Sequence, residues 1–217
     1  MKFIKTPVKG MCDMLPADMR MREHVFGMIK ESYAKKHVHR KVADLYEYLY
    51  IYCGEARGNV LYGTVTPETL TEFQMTEEEA FVLSHKNMIK NTLLSTADGA
   101  LYGYGNMMEI SKENMINFVC SSDMPIIVVK GKNGRCGAAY ALLQKVNQKI
   151  LELYPNGYYL IPSSTKEMIV VARNSMPLEE MKEMVSNING MPDKVKPEEI
   201  LSNSIYEFID GMLQIVK

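Results

Sequence analysis

The chain has 217 residues, of which 47% are hydrophobic and 24% charged, enough to bury a core in one large or two small domains. A formal net charge of -1 disfavours non-specific nucleic-acid binding, which calls for a basic surplus. No apolar run of about 18 residues suggests a membrane helix, and the first residues lack a signal-peptide apolar region, so the expectation is a cytoplasmic protein without a membrane role.

In chain order, residues 16–35 read as an amphipathic helix: Pro16 suits its first turn, Asp18 complements its dipole, and Met21, Val25, Met28 and Ile29 form an apolar stripe. That stripe is the candidate partner-binding surface, for another protein or for a second copy. His37 and His39 could share one face of a strand, but no third ligand stands at useful spacing. The reading is a basic connector with no metal. The cysteines Cys12, Cys53, Cys120 and Cys136 form no close pair and read as small core thiols.

Residues 42–52 favour a strand because of their tyrosines, and residues 54–59 read as the turn of a hairpin into a strand over 60–65. Tyr46, Tyr48, Tyr50 and Tyr52 could stack nucleic-acid bases. With Asp44, Glu47 and Glu55 around them, ordinary sheet packing is the preferred reading. Pro67 opens a short helix, and Thr76 with Glu79 forms a capping box for a helix to about Asn91 that buries Ala80, Phe81, Leu83, Met88 and Ile89. Signals are mixed over 92–122. Gly99, Gly103 and Gly105 suggest a turn-rich boundary between two lobes near 93–123.

Residues 126–129 read as a buried strand, and residues 139–153 as an amphipathic helix. The turn between them contains Gly131, Lys132, Gly134, Arg135 and Gly137, the candidate ligand-binding residues. Backbone N–H groups at a helix start, with two cations nearby, could hold the phosphates of a nucleotide or an acyl-CoA. The alternative is a turn whose small Gly137 and Ala138 let the helix pack closely on the sheet. Ser163, Ser164 and Thr165 have no nucleophile elbow around them and read as hydroxyls of the tight turn in a hairpin over 158–171. Cys136 beside Arg135 is the candidate reactive thiol. Pro177 opens a helix with Leu178, Met181, Met184, Val185 and Ile188 on one face, residues 196–201 add a further helical turn, and residues 204–216 form a hairpin about Asp210-Gly211.

Residues 6–34, with the run Lys9-Gly10-Met11-Cys12-Asp13-Met14-Leu15-Pro16, resemble the N-terminal segment of histidyl-tRNA synthetase that leads into the first class II motif. The resemblance implies a helix that serves as a dimer-type packing surface. No ATP-binding or histidine-binding motif of that family follows, so no activation of histidine is expected. From residue 43 onward the chain is similar to an uncharacterised bacterial domain-of-unknown-function family, through Gly137-Ala138-Ala139, Leu160 to Ser164 with Glu167, the helix containing Glu179 and Met184, and Pro197 to Ser202. That resemblance implies no activity.

The expected fold is α+β: a mixed, mainly antiparallel sheet with helices mostly on one face, plus the N-terminal amphipathic helix. The expected domains are 1–36 and 37–217. No catalytic residue, metal or cofactor is assigned. The leading functional expectation is a non-catalytic binding or regulatory protein. The alternatives are a nucleotide- or acyl-CoA-binding enzyme using the 131–137 turn and a truncated synthetase-like protein without aminoacylation.

Overall fold

The structure is a computed structural model that describes residues 36–56, 59–96, 108, 113, 126–132, 137–191, 193, 195–196 and 199–216. The expected N-terminal helix with Met21, Val25, Met28 and Ile29 lies outside the described residues, as do Cys12, Cys120 and residues 97–107. The chain divides into two compact units. One comprises Met1–His39 and Tyr48–Met75, the other Arg40–Glu47 and Thr76–Lys217.

In the first unit, strands β3 (Tyr50–Ala56) and β4 (Asn59–Thr64) form an antiparallel two-stranded ribbon. This is the hairpin expected from the sequence, with strands that reach further into the region read as turn. At its base the Val38 N–H donates to Val65 O at 2.8 Å and the Val65 N–H to Leu49 O at 3.0 Å, which sets the buried side chains of Val38, Leu49 and Val65 close together. Helix α1 (Pro67–Glu72) follows, with Thr66 and Thr69 in a reciprocal cap and Leu70 as its buried residue.

The second unit begins with the hairpin of β1 (His39–Val42) and β2 (Leu45–Tyr48), whose end residues His39 and Tyr48 belong to the first unit. The single strand expected over 42–52 is therefore broken, by a turn at Ala43-Asp44 and again at Leu49. The stretch read as a basic connector supplies β1. Ala43 adopts φ 57°, a left-handed conformation unusual for a residue with a Cβ. Helix α2 (Glu77–Ile89) opens on the Thr76/Glu79 capping box, and its acidic first turn complements the helix dipole. Phe81 is buried as expected, whereas Leu83 is exposed, since the helix has only one face against the core.

The main sheet has six strands in the order β10-β9-β7-β8-β6-β5, every adjacent pair antiparallel. Its strands are β5 (Thr92–Thr96), β6 (Ile127–Gly131), β7 (Tyr158–Ser164), β8 (Glu167–Ala172), β9 (Tyr206–Ile209) and β10 (Met212–Ile215). The fold is thus α+β with antiparallel sheets. Strand alternation sends Leu160 and Val170 to one face, where they meet Val146 and Ile150 of α3 (Gln144–Leu153), Ala141 and Leu143, with Met88 and Ile89 of α2 at the margin. Their neighbours Ile161 and Ile169 face the other side, covered by Met181 and Val185 of α4 (Leu178–Asn189).

Pro162 tolerates its place in a central strand because β9 pairs with β7 at Leu160, short of Pro162. Asp210 (φ 52°) and Gly211 (φ 77°) make the tight turn between β9 and β10 that the Asp-Gly pair requires. The further turn expected over 196–201 reduces, among the described residues, to the Glu199 N–H bonding Lys196 O at 2.8 Å.

One buried hydrogen bond fixes α3 to the sheet. The hydroxyl of Tyr158 donates to Asn147 Oδ1 at 2.5 Å, and the Asn147 amide donates to Leu143 O at 3.1 Å. Burial pushes the Tyr158 phenol well above its ordinary range, so it remains a donor. Tyr158→Phe leaves Asn147 Oδ1 without its donor and should cost about 1–2 kcal/mol in urea unfolding, with no change in secondary structure.

Candidate functional site

Of the turn singled out from the sequence, the structure describes Gly131, Lys132 and Gly137. Gly131 is buried and is the last residue of β6, opposite Thr92 on β5. The Lys132 N–H donates to Asn91 O at 2.8 Å. Gly134, Arg135 and Cys136 lie outside the described residues. Gly137 opens a 3-10 segment, Gly137–Leu142, and the α-helix begins only at Gln144, after Leu143 has turned extended. The first N–H after Gly137, that of Ala138, donates to Thr165 O at 3.3 Å. A Cβ built on Gly137 would stand 1.5 Å from the Lys166 carbonyl oxygen, so glycine is required there for close packing against the β7–β8 turn. In that turn Ser164 Oγ accepts from the Lys166 N–H at 3.1 Å, and the Ser163 hydroxyl donates to Glu167 at 3.2 Å. These hydroxyls serve the turn, as expected.

Two polar clusters of the second unit centre on the β1–β2 hairpin, and the sequence reading found neither. Asp44, in the turn, accepts from Tyr206 OH at 2.7 Å, Ser202 Oγ at 2.9 Å and Ser204 Oγ at 3.1 Å. Burial works to raise its pKa, but the three hydroxyls together hold its carboxyl below the ordinary value. Glu47 is buried and accepts from Arg40 Nε and from His85 Nε2, each at 2.6 Å. The Arg40 guanidinium also lies 4.5 Å from the centre of the Phe81 ring. The partners of Glu47 are fixed on β1 and α2, so the cluster holds the hairpin on the helix.

An open groove of about 540 Å³ runs beside α3, lined by Leu142, Gln144, Asn147, Gln148, Leu151, Tyr158, Arg173 and Phe208. Its volume suits a small molecule. Of its polar groups, Arg173 pairs with Glu207 and Asn147 with Tyr158. Among the described residues no group of histidine, cysteine and carboxylate side chains is placed to hold a metal ion, and no helix is long and apolar enough to cross a membrane.

The β3–β4 ribbon differs from all of these. Tyr52 and Tyr62 are direct cross-strand partners, their rings 6.2 Å apart and nearly edge to face. They are 58% and 40% exposed, and Tyr50 and Leu61 nearby are 49% and 47% exposed. Ordinary sheet packing was the expected role of Tyr46, Tyr48, Tyr50 and Tyr52; Tyr52 does have a cross-strand ring partner, but Tyr46, Tyr50 and Tyr52 are exposed and Tyr48 is half-buried. Among the described residues no further strand pairs with this two-stranded ribbon, and its large side chains Tyr50, Tyr52, Leu61 and Tyr62 are exposed. Cys53, expected in a core, is also exposed: it is the extra residue of a bulge between Tyr52 and Gly54, and Gly54 takes the positive φ of 111°.

The sequence of this chain matches DUF5688, a family of unknown function, over residues 28–209. The chain belongs to the DUF5688 family. The similarity of residues 43–217 to a domain of unknown function agrees with this assignment. The resemblance of residues 6–34 to histidyl-tRNA synthetase finds no support, and the family match starts only at residue 28. No curated protein and no solved structure matches the chain.

Proposed function

We propose that this DUF5688 protein is a non-catalytic binding protein that holds a segment of another protein on the tyrosine face of the β3–β4 ribbon. The observation that carries this reading is the exposed cross-strand pair Tyr52/Tyr62, extended on the same face by Tyr50. Together these side chains leave on the order of 300 Å² of amphipathic surface open, the size of patch that marks interaction sites on monomeric proteins. Tyrosine offers a large rigid contact area at low entropic cost and a hydroxyl for the rim. A protein fits better than a nucleic acid, because residues 50–64 carry Arg57 and Glu55 as their charged side chains and thus no basic surplus.

A photo-reactive phenylalanine analogue at position 62 should cross-link one discrete protein in the native host, while the same analogue at exposed position 78 should not. Binding of that protein by Tyr52→Ser/Tyr62→Ser should weaken about 30-fold or more, with the melting temperature retained. Unchanged affinity in the double variant rejects the reading. The competing use of the turn at Gly131, Lys132, Gly134, Arg135 and Gly137 by a nucleotide or acyl-CoA is tested by ligand-dependent melting. Stabilisation by one of these compounds that disappears in Arg135→Ala would move the function to that turn.

A further inference from the structure

The main sheet ends in two unlike edges. On one, the side chains of Thr92, Leu94, Ser95 and Thr96 of β5 are buried. On the other, no strand lies beyond β10 among the described residues. β10 reads Met-Leu-Gln-Ile, and its Met212 and Ile215 are 62% and 42% exposed. Sheet edges are ordinarily guarded by charge, proline or a bulge; β10 carries no charge and no proline, and its pairing with β9 is regular.

The pairing fixes which backbone groups face outward. The Val216 N–H bonds Ile205 O at 2.9 Å, and antiparallel strands alternate bonded with non-bonded pairs. Gln214 opposite Glu207, and Met212 opposite Ile209, are therefore the bonded pairs. It follows that the N–H and C=O of Leu213 and of Ile215 point away from β9.

We propose that β10 is a self-association edge, and that two copies of the chain pair their β10 strands antiparallel with Gln214 opposite the partner's Gln214. In that register Leu213 stands opposite the partner's Ile215, and Ile215 opposite the partner's Leu213. Each such pair exchanges both of its outward hydrogen bonds, so the two-fold axis satisfies every outward group of Leu213 and Ile215. The side chains agree with it. Leu213 is buried on the core face of its sheet, Ile215 lies on the same face, and the pairing lays exposed Ile215 over the partner's Leu213. A slip by one residue would turn the core faces of the two copies to opposite sides and lose this cover. The occupant is a second copy because both strands present the same outward groups about residue 214, with no charge on the edge to oppose a like strand.

Sedimentation equilibrium of the full chain over a wide concentration range tests this, and a reversible dimer is expected. Gln214→Lys puts two ammonium groups across the axis and should raise the dissociation constant about tenfold or more. Ile215→Pro removes an outward N–H while sparing the bonds to β9, and should do the same with unchanged circular dichroism. Residue 214 would lie about 4.5 Å Cα to Cα from its mate, within disulfide range. In a background with Cys12, Cys53, Cys120 and Cys136 all replaced by serine, oxidised Gln214→Cys should give covalent dimer and Met212→Cys should not. A monomer at all concentrations, a dimer indifferent to Gln214→Lys, or equal cross-linking from both cysteine positions overturns the proposal.

Discussion

Glu47→Gln should destabilise the second unit by about 2–3 kcal/mol at neutral pH and weaken the dependence of stability on acid. The carboxylate is buried and accepts from Arg40 and His85 at 2.6 Å each. Replacing it by an amide leaves the Arg40 guanidinium facing a neutral group that also carries donors of its own. The loss stays short of that for a fully buried ion pair, because Arg40 is partly open to water.

The pH effect has a definite sign. Burial of Glu47 works to raise its pKa, but the His85 hydrogen bond and the charges of His85 and Arg40 outweigh it, and the carboxyl is held below its ordinary value of 4.5. A group depressed in the folded state contributes stability above its unfolded pKa and loses it as pH falls through the folded pKa. Urea unfolding at neutral pH and near pH 3 should therefore show wild type and variant far apart at the first and closer together at the second. Asp44, also held low, keeps a share of the acid sensitivity in both proteins. A constant gap between the two curves would mean that Glu47 is not the titrating group.

The parts of the fold legible in the sequence are those specified within a few residues. The Thr76/Glu79 box announces α2, Asp210-Gly211 the last hairpin, and helical spacing the buried Val146 and Ile150 of α3 and Met181 and Val185 of α4, although Met184 and Ile188 of the same expected stripe are exposed. Strands β1 and β5 escaped because His-Arg-Lys-Val and Thr-Leu-Leu-Ser-Thr have little pattern of their own. β5 is held by its pairing with β6, far along the chain. The Glu47 cluster was illegible for the same reason: its partners stand 7 and 38 positions away. The tyrosines failed differently. Alternation gives the faces of a strand but not whether a second layer covers them, and here Tyr50, Tyr52 and Tyr62 are exposed.

Gly137→Ala should be among the most damaging single substitutions in the chain, at about 3 kcal/mol or more and roughly 10 °C in melting temperature. The added Cβ would stand 1.5 Å from Lys166 O, 2.5 Å from Lys166 C and 3.1 Å from Lys130 Cα, all of them backbone atoms. The turn they belong to has little freedom to retreat. The Thr165 N–H is tied to Glu199 O at 2.9 Å, and the Lys166 ammonium to the Glu199 carboxylate at 2.6 Å. Gly211→Ala is the control: its φ of 77° makes a side chain strained, yet nothing lies within 4 Å of the new Cβ, so the loss should be about 1 kcal/mol. The pair of variants separates backbone strain from lack of room. The result also bears on the turn of residues 131–137, where Gly137 is both a packing residue and a candidate ligand contact. If close packing is its purpose, Gly137→Ala lowers the melting temperature of the protein by itself, with no added compound. If the glycine instead leaves space for a phosphate, the melting temperature of the variant alone stays near wild type and only the shift on adding nucleotide or acyl-CoA is lost.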